Sequence, residues 1–169
     1  MNYFELYDIP VSFFPDAVVV KKKFYELSRK YHPDFFSNAG KEEQTEVLEK
    51  SSLINKAFKT LADNDETIKY VLQLKGLLEE EEKYKLSPDF LMEVMELNEQ
   101  LMEAKMEDDS VAVSNIKSAI SNFQSHIYEP VHQIMEQYQE GLVSEKELLQ
   151  VKEYYYQKKY LNRILAGLN

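Results

Sequence analysis

Directly after a helical stripe of apolar side chains, the chain sets an imidazole and a carboxylate on either side of a proline, as His32-Pro33-Asp34. Proline disfavours helical geometry at the residue before it and removes a backbone donor, so a helix arriving here must end. Short polar side chains are then left on a loop facing solvent. Their chemistry is recognition: an exposed carboxylate can accept a charge-assisted hydrogen bond from an arginine, and proline restricts its loop at little cost. Lys21, Lys22, Lys23, Arg29 and Lys30 line the helix that leads in. On a wheel, Lys22, Tyr25 and Arg29 lie opposite the core stripe and can steer an acidic surface towards the loop. A solvated lysine-rich face is the plainer reading; the adjoining His and Asp favour docking.

A second candidate surface lies near residue 90. Phe90, Val94, Leu97 and Leu101 share one helical face. Met92, Glu96, Glu99 and Glu103 share the opposite one, with Leu91 and Met95 at its edge. Four of the six methionines (Met92, Met95, Met102, Met106) fall in this stretch. Flexible, polarizable methionine beside carboxylates suits an adaptable partner surface, unless a bundle buries the helix on two sides.

Signatures of catalysis are missing. No Gly-rich phosphate loop, nucleophile elbow or paired-histidine motif occurs, and acidic pairs on amphipathic helices are the expected solvated faces. We therefore expect no enzyme. The chain has no cysteine, which excludes disulfides, thiolate zinc sites and cysteine-ligated clusters, and its three histidines are scattered. No metal and no cofactor are expected. With 20 Lys and Arg against 30 Asp and Glu, the net charge is −10, which argues against nucleic acid as the main partner. No run of about 18 apolar residues exists, so neither a membrane span nor a signal peptide is expected, and a cytoplasmic location is the default.

The 169 residues suffice for two small modules, and the scarcity of Gly and Pro beside abundant Glu, Lys and Leu predicts an all-α fold. Asn2 can cap a helix over residues 3–7 that Pro10 closes. Pro15 and Asp16 suit the first positions of a second helix carrying Ala17, Val20, Phe24, Leu27 and Tyr31 as its core stripe. A third helix is expected over 41–61, with Val47, Ile54, Phe58 and Leu61 inward. Asp63–Asp65 should cap a fourth that ends at Gly76. Residues 77–86, with Glu79–Glu82 in a row, read as a solvated linker. Ser87-Pro88-Asp89 starts a helix to about Met106. Residues 110–138 keep helical apolar spacing across Pro130, where a kink is expected, up to a stop at Gly141. Ser144 and Glu147 form a capping box for a last helix with Val151, Tyr154, Leu161, Ile164 and Leu165 inward. Residues 1–76 thus form one helical module, a hairpin with two short flanking helices, and residues 87–169 a three-helix bundle.

Three segments together carry a family resemblance: Tyr3-Phe4-Glu5-Leu6, the run from Phe24-Tyr25 to Tyr31-His32-Pro33-Asp34, and Asn55-Lys56-Ala57-Phe58-Lys59-Thr60-Leu61. They resemble the J domain over about residues 2–75. The opening Asn2–Tyr7 and the stretch Phe90-Leu91-Met92-Glu93-x-Met95-Glu96-Leu97 are similar to the HscB type of J-domain co-chaperone. That resemblance implies that His32, Pro33, Asp34, Lys22, Tyr25 and Arg29 engage a heat-shock-70-class chaperone of the HscA or DnaK type. It also implies that Leu91, Met92, Met95, Glu96, Glu99, Glu103 and, on the last helix, Tyr156 bind an iron–sulfur cluster scaffold protein of the IscU type. Glu26, within the basic face, and Phe35, after Asp34, depart from the family pattern and leave the choice of chaperone open. A J-domain adaptor serving a different protein client is the alternative.

Overall fold

The computed structural model describes residues 1–166, in which every regular element is a helix. Two compact units form, the first from Met1–Lys75 with Tyr138–Leu142 and the second from Gly76–Gln137 with the chain from Val143 onward. The last three residues of the C-terminal bundle expected from the sequence lie outside the described residues.

In the first unit, α1 (Tyr3–Leu6) opens on a reciprocal cap. The Glu5 N–H donates to Asn2 Oδ1 at 2.8 Å, and the Asn2 N–H donates to Glu5 Oε2 at 3.2 Å. Asp16 accepts from the Val18 and Val19 amides and so stands just outside α2 (Ala17–Lys30) as its cap, and the helix begins two residues later than expected. Of the predicted α2 stripe, Val20 is fully buried, while Phe24, Leu27 and Tyr31 are half-buried. Ala17, the first helical residue, faces solvent and adds nothing to the core.

Helix α3 (Lys41–Leu61) covers that stripe, with the rings of Phe24 and Phe58 stacked 4.2 Å apart and Ile54, Ala57 and Leu61 buried. The Tyr7 hydroxyl donates to the Ile54 carbonyl at 2.8 Å, which ties α1 to the middle of α3. Burial pushes that phenol well above its ordinary pKa, so it stays a donor. Asp63 caps α4 (Asn64–Leu74), and the buried Thr67 hydroxyl, facing the Thr60 and Asp63 carbonyls at 2.8 and 2.7 Å, seals the α3–α4 corner. Gly76 follows at φ +70°, the left-handed conformation that ends a helix without a Cβ penalty.

In the second unit, α5 (Pro88–Met106), α6 (Ser110–Tyr128) and α8 (Glu145–Ala166) pack around Phe90, Val94, Leu101, Ile120, Ile127, Val151, Tyr154 and Leu161. Ser87, Asp109 and the Ser144–Glu147 pair supply their caps. Leu148 and Tyr155 join the core beside the residues read from the pattern.

Two expectations are corrected here. The residue 110–138 stripe is not one kinked helix ending at Gly141. Pro130 has no amide to donate, regular α-helix stops at Tyr128, and a 3₁₀ turn over Glu129–Val131 leads into a short α7 (His132–Glu136). Tyr138 then lies in the first unit, its ring edge-on to Phe13 at 5.1 Å. Nor is the acidic run wholly solvated. Glu82 pairs with Lys152 of α8 at 2.7 Å, and Tyr84 stacks on Tyr156, so part of the 77–86 segment packs on the last helix.

Candidate partner-binding surfaces

The His32-Pro33-Asp34 turn is built by its own backbone chemistry. Pro33 holds His32 extended at φ −71° and ψ 128°, which stops α2 with Tyr31 as its C-cap. Pro33 then starts a 3₁₀ turn over Pro33–Phe36, with fixed φ and no missing bond, since the first helical amide is unpaired anyway. The sequence reading of a loop is thereby sharpened to a single tight turn. His32 caps it: the Asp34 amide donates to His32 Nδ1 at 3.2 Å. With Nδ1 accepting, a neutral imidazole carries its proton on Nε2. The Asp34 carboxylate is 87% exposed and lies 3.7 Å from the same ring nitrogen.

Lys22, Tyr25 and Arg29 are all exposed on the outer face of α2, and the Arg29 Nε–H donates to the Tyr25 carbonyl at 3.4 Å. Tyr25, Ser28, Arg29 and His32 line one shallow recess of about 410 Å³, which joins the basic face to the turn. Lys22 stands outside that recess. Pro33 lines another of about 280 Å³ with Phe36, Val47 and Leu48. Lys23, on the flank, is 3.9 Å from Asp8 and is partly neutralised. Sequence reasoning missed two apolar neighbours of the turn as surface features. Leu48 is exposed, and Phe35 is 73% exposed with its ring edge-on to His32 at 5.9 Å. The signal for Phe35 was its place after Asp34; for Leu48 it was an apolar residue outside the α3 stripe.

On α5 the two faces separate as their spacing predicts. Phe90, Val94 and Leu101 are buried and Leu97 is half-buried. Met92 and Met95 are 68% and 55% exposed, Glu96, Glu99 and Glu103 are exposed, and Leu91 at the edge is half-buried. Four exposed methionines on one helix, counting Met102 and Met106, form an apolar, deformable strip flanked by carboxylates. Glu96 also lines an open groove of about 530 Å³ between α5 and α6, with Leu97, Phe123 and His126. Tyr156 is not in that groove. It sits half-buried on α8, stacked on Tyr84 with centroids 4.6 Å apart and planes 4° from parallel. Burial first, then the carboxylates of Glu82 and Glu80, hold the Tyr156 phenol above its ordinary pKa. Near α5, the Phe90 ring meets Phe123 at 5.7 Å and Tyr160 at 6.2 Å, which links the helix start to both α6 and α8.

No described helix is long and apolar enough to cross a membrane. Comparison with known proteins gives concordant matches to both halves of the chain. The family model of the DnaJ domain matches residues 2–70, and that of the HSCB C-terminal oligomerisation domain matches residues 86–169. The iron-sulfur cluster co-chaperone protein HscB of Homo sapiens is 33% identical over 155 residues, 91% of this chain and 64% of that protein. A co-chaperone protein HscB homolog of Photobacterium profundum is 33% identical over 128 residues, 75% of this chain and 71% of the relative. Another, from Vibrio cholerae, is 36% identical over 102 residues, 60% of the length of each. Among solved structures, the crystal structure of human co-chaperone protein HscB superposes with a TM-score of 0.77 at 30% identity, covering 99% of this chain and 80% of that one. Chaperone HscB from Vibrio cholerae superposes with a TM-score of 0.67 at 28% identity over the full length of both.

Proposed function

The chain belongs to the HscB family of J-domain co-chaperones, and from that premise we propose that it stimulates ATP hydrolysis by a heat-shock-70-class chaperone and delivers an iron–sulfur cluster scaffold protein to it. The observation that carries the reading is the exposed Asp34 carboxylate on a rigid turn, next to a recess that joins His32 to Tyr25 and Arg29. An arginine of the chaperone gains a charge-assisted bond to Asp34, while Lys22 and Arg29 steer the approach of an acidic surface. The exposed Met92 and Met95, with Glu96, Glu99, Glu103, Leu91 and Tyr156, take the scaffold. The protein itself performs no bond chemistry in this reading; it changes the chaperone's rate and supplies its client.

In this reading the chaperone meets the module of residues 1–76 and the scaffold meets that of residues 87–169, with residues 77–86, part of which packs on α8, connecting them. The test is a single-turnover ATPase assay with purified chaperones of the HscA and DnaK types, with and without an IscU-type scaffold. Stimulation by the chain, increased further by the scaffold, is expected. A chain that binds scaffold yet stimulates neither chaperone would overturn the first role, and one that stimulates without binding scaffold would be an adaptor for another client.

A further inference from the structure

The 82–86 segment and α8 enclose a recess of about 250 Å³ in the second unit. Its half-buried lining is three aromatic rings, Tyr84 and Tyr156 stacked on one another with Tyr160 beside them, together with Leu86 and Glu82. Three exposed lining residues are cationic: Lys83, Lys159 and Arg163. The one carboxylate in the lining, Glu82, is already engaged by Lys152 at 2.7 Å. Among the described residues, Lys83, Lys159 and Arg163 form no ion pair. The Arg163 guanidinium lies over the Tyr160 ring at 5.2 Å, and the Lys159 ammonium is 6.0 Å from the Tyr155 ring centre. On a chain of net charge −10, three cations around one concavity, none of them in an ion pair among the described residues, are a local excess of positive charge over the one lining carboxylate, Glu82. Their mutual repulsion is relieved when an anion enters.

We infer that this recess binds a carboxylate side chain of the scaffold protein. The inference rests on the scaffold-delivery reading and names the chemistry of one subsite within it. Position supports it: Tyr156, which belongs to the proposed scaffold surface, lines the recess. Size supports it as well, because the recess is smaller than the clefts of roughly 300–1,000 Å³ that enclose drug-sized ligands, yet admits the end of an acidic side chain. A guanidinium, two ammonium groups and phenol hydroxyls are all donors. Tyr84 and Tyr156 stay protonated because burial raises both phenols, with nearby carboxylates adding to it. The scaffold would thus meet opposite fields on one unit, acidic along Glu96, Glu99 and Glu103 and basic here, which fixes its orientation as well as its affinity.

Calorimetric titration of the intact chain with the scaffold, at low and high salt, tests this. Lys159→Gln with Arg163→Gln should weaken binding roughly tenfold at low salt and flatten the salt dependence, as loss of complementary interface charge does. Both side chains are exposed, so melting should not change; should it fall, Lys83→Gln, outside the helix, carries the test and should weaken binding in the same direction. Wild-type affinity and salt dependence in these variants, with binding weakened in Met92→Ala/Glu96→Ala, would overturn the carboxylate subsite and leave scaffold delivery standing. Absence of any scaffold binding by the unaltered chain would overturn both.

Discussion

The Asp34 backbone amide donates to His32 Nδ1 while the Asp34 carboxylate stays in solvent. One residue therefore has two separable groups: its amide holds the turn, and its side chain is left in solvent. Either side-chain replacement that preserves the amide should preserve the turn.

Asp34→Asn keeps shape and amide but removes the anionic acceptor. ATPase stimulation of the chaperone should be lost, with stability changed by about 0.5 kcal/mol or less, as for other exposed substitutions. Steady-state ATPase and thermal melting on the same preparation check it. Normal stimulation by the variant would show that the carboxylate is not what the chaperone reads.

Opposite faces of α5 should fail in different ways. Met92→Ala with Glu96→Ala removes exposed groups and should weaken scaffold binding by about 1–3 kcal/mol while melting stays put. Leu101→Ala empties a site that is 4% exposed and should cost about 2–5 kcal/mol of folding stability, with binding lost only as the protein unfolds. Calorimetry and melting on both variants decide between them. If the Met92/Glu96 pair destabilises as Leu101→Ala does, that face is packed and the scaffold site lies elsewhere.

Much of this was legible because helices announce themselves in period and punctuation. Asn2, Asp63, Ser87 and Ser144 all cap where their spacing placed them, and the Met92 and Val94 faces of α5 separate as 3.6-residue periodicity requires. Periodicity failed where a covalent detail overrode it. The apolar spacing of residues 113–138 survives Pro130, but the missing amide converts the chain to 3₁₀ and releases Tyr138 from the bundle. Glu82 was unreadable for another reason. Its partner Lys152 is 70 residues on, and a run of four glutamates gives no hint which one will be paired. The cationic recess depends on the same long-range packing.

The Glu82–Lys152 pair should give stability a particular pH dependence. The Lys152 hydrogen bond, the largest cause, holds the Glu82 carboxyl below the ordinary glutamate value of 4.5. A lowered folded-state value means stabilisation that is complete above the unfolded pKa and lost as pH falls through the folded one. Wild type should exceed Glu82→Gln by under about 1 kcal/mol at pH 7, since the pair is partly solvated. That margin should close on acidification below the ordinary glutamate value. Denaturant melts of both proteins across this range test it, and a margin that grows on acidification would refute the pairing.

Tyr138 supplies the last prediction, because its contribution is to a unit far from it in sequence. Phe13 is fully buried, and the Tyr138 ring meets it edge-on at 5.1 Å while Glu140, two residues on, pairs with Lys75. Truncating a buried aromatic ring removes its transfer free energy and leaves a cavity, so Tyr138→Ala should destabilise the first unit by about 3 kcal/mol. The loss should be local in kind. Amide exchange in α1–α4 should speed up, whereas the central amides of α5, α6 and α8 keep their protection, because the core they bury does not contain Tyr138. Glu140→Gln, which spares the ring, should have a much smaller effect, as exposed ion pairs do. The same reasoning makes a fragment of residues 1–76 less stable than that unit within the whole chain, since the fragment leaves Phe13 without its cover. Hydrogen exchange followed by peptide mass analysis separates these outcomes. Equal acceleration in both units, or none in α1–α4, would mean that Tyr138 does not stabilise the first unit through Phe13.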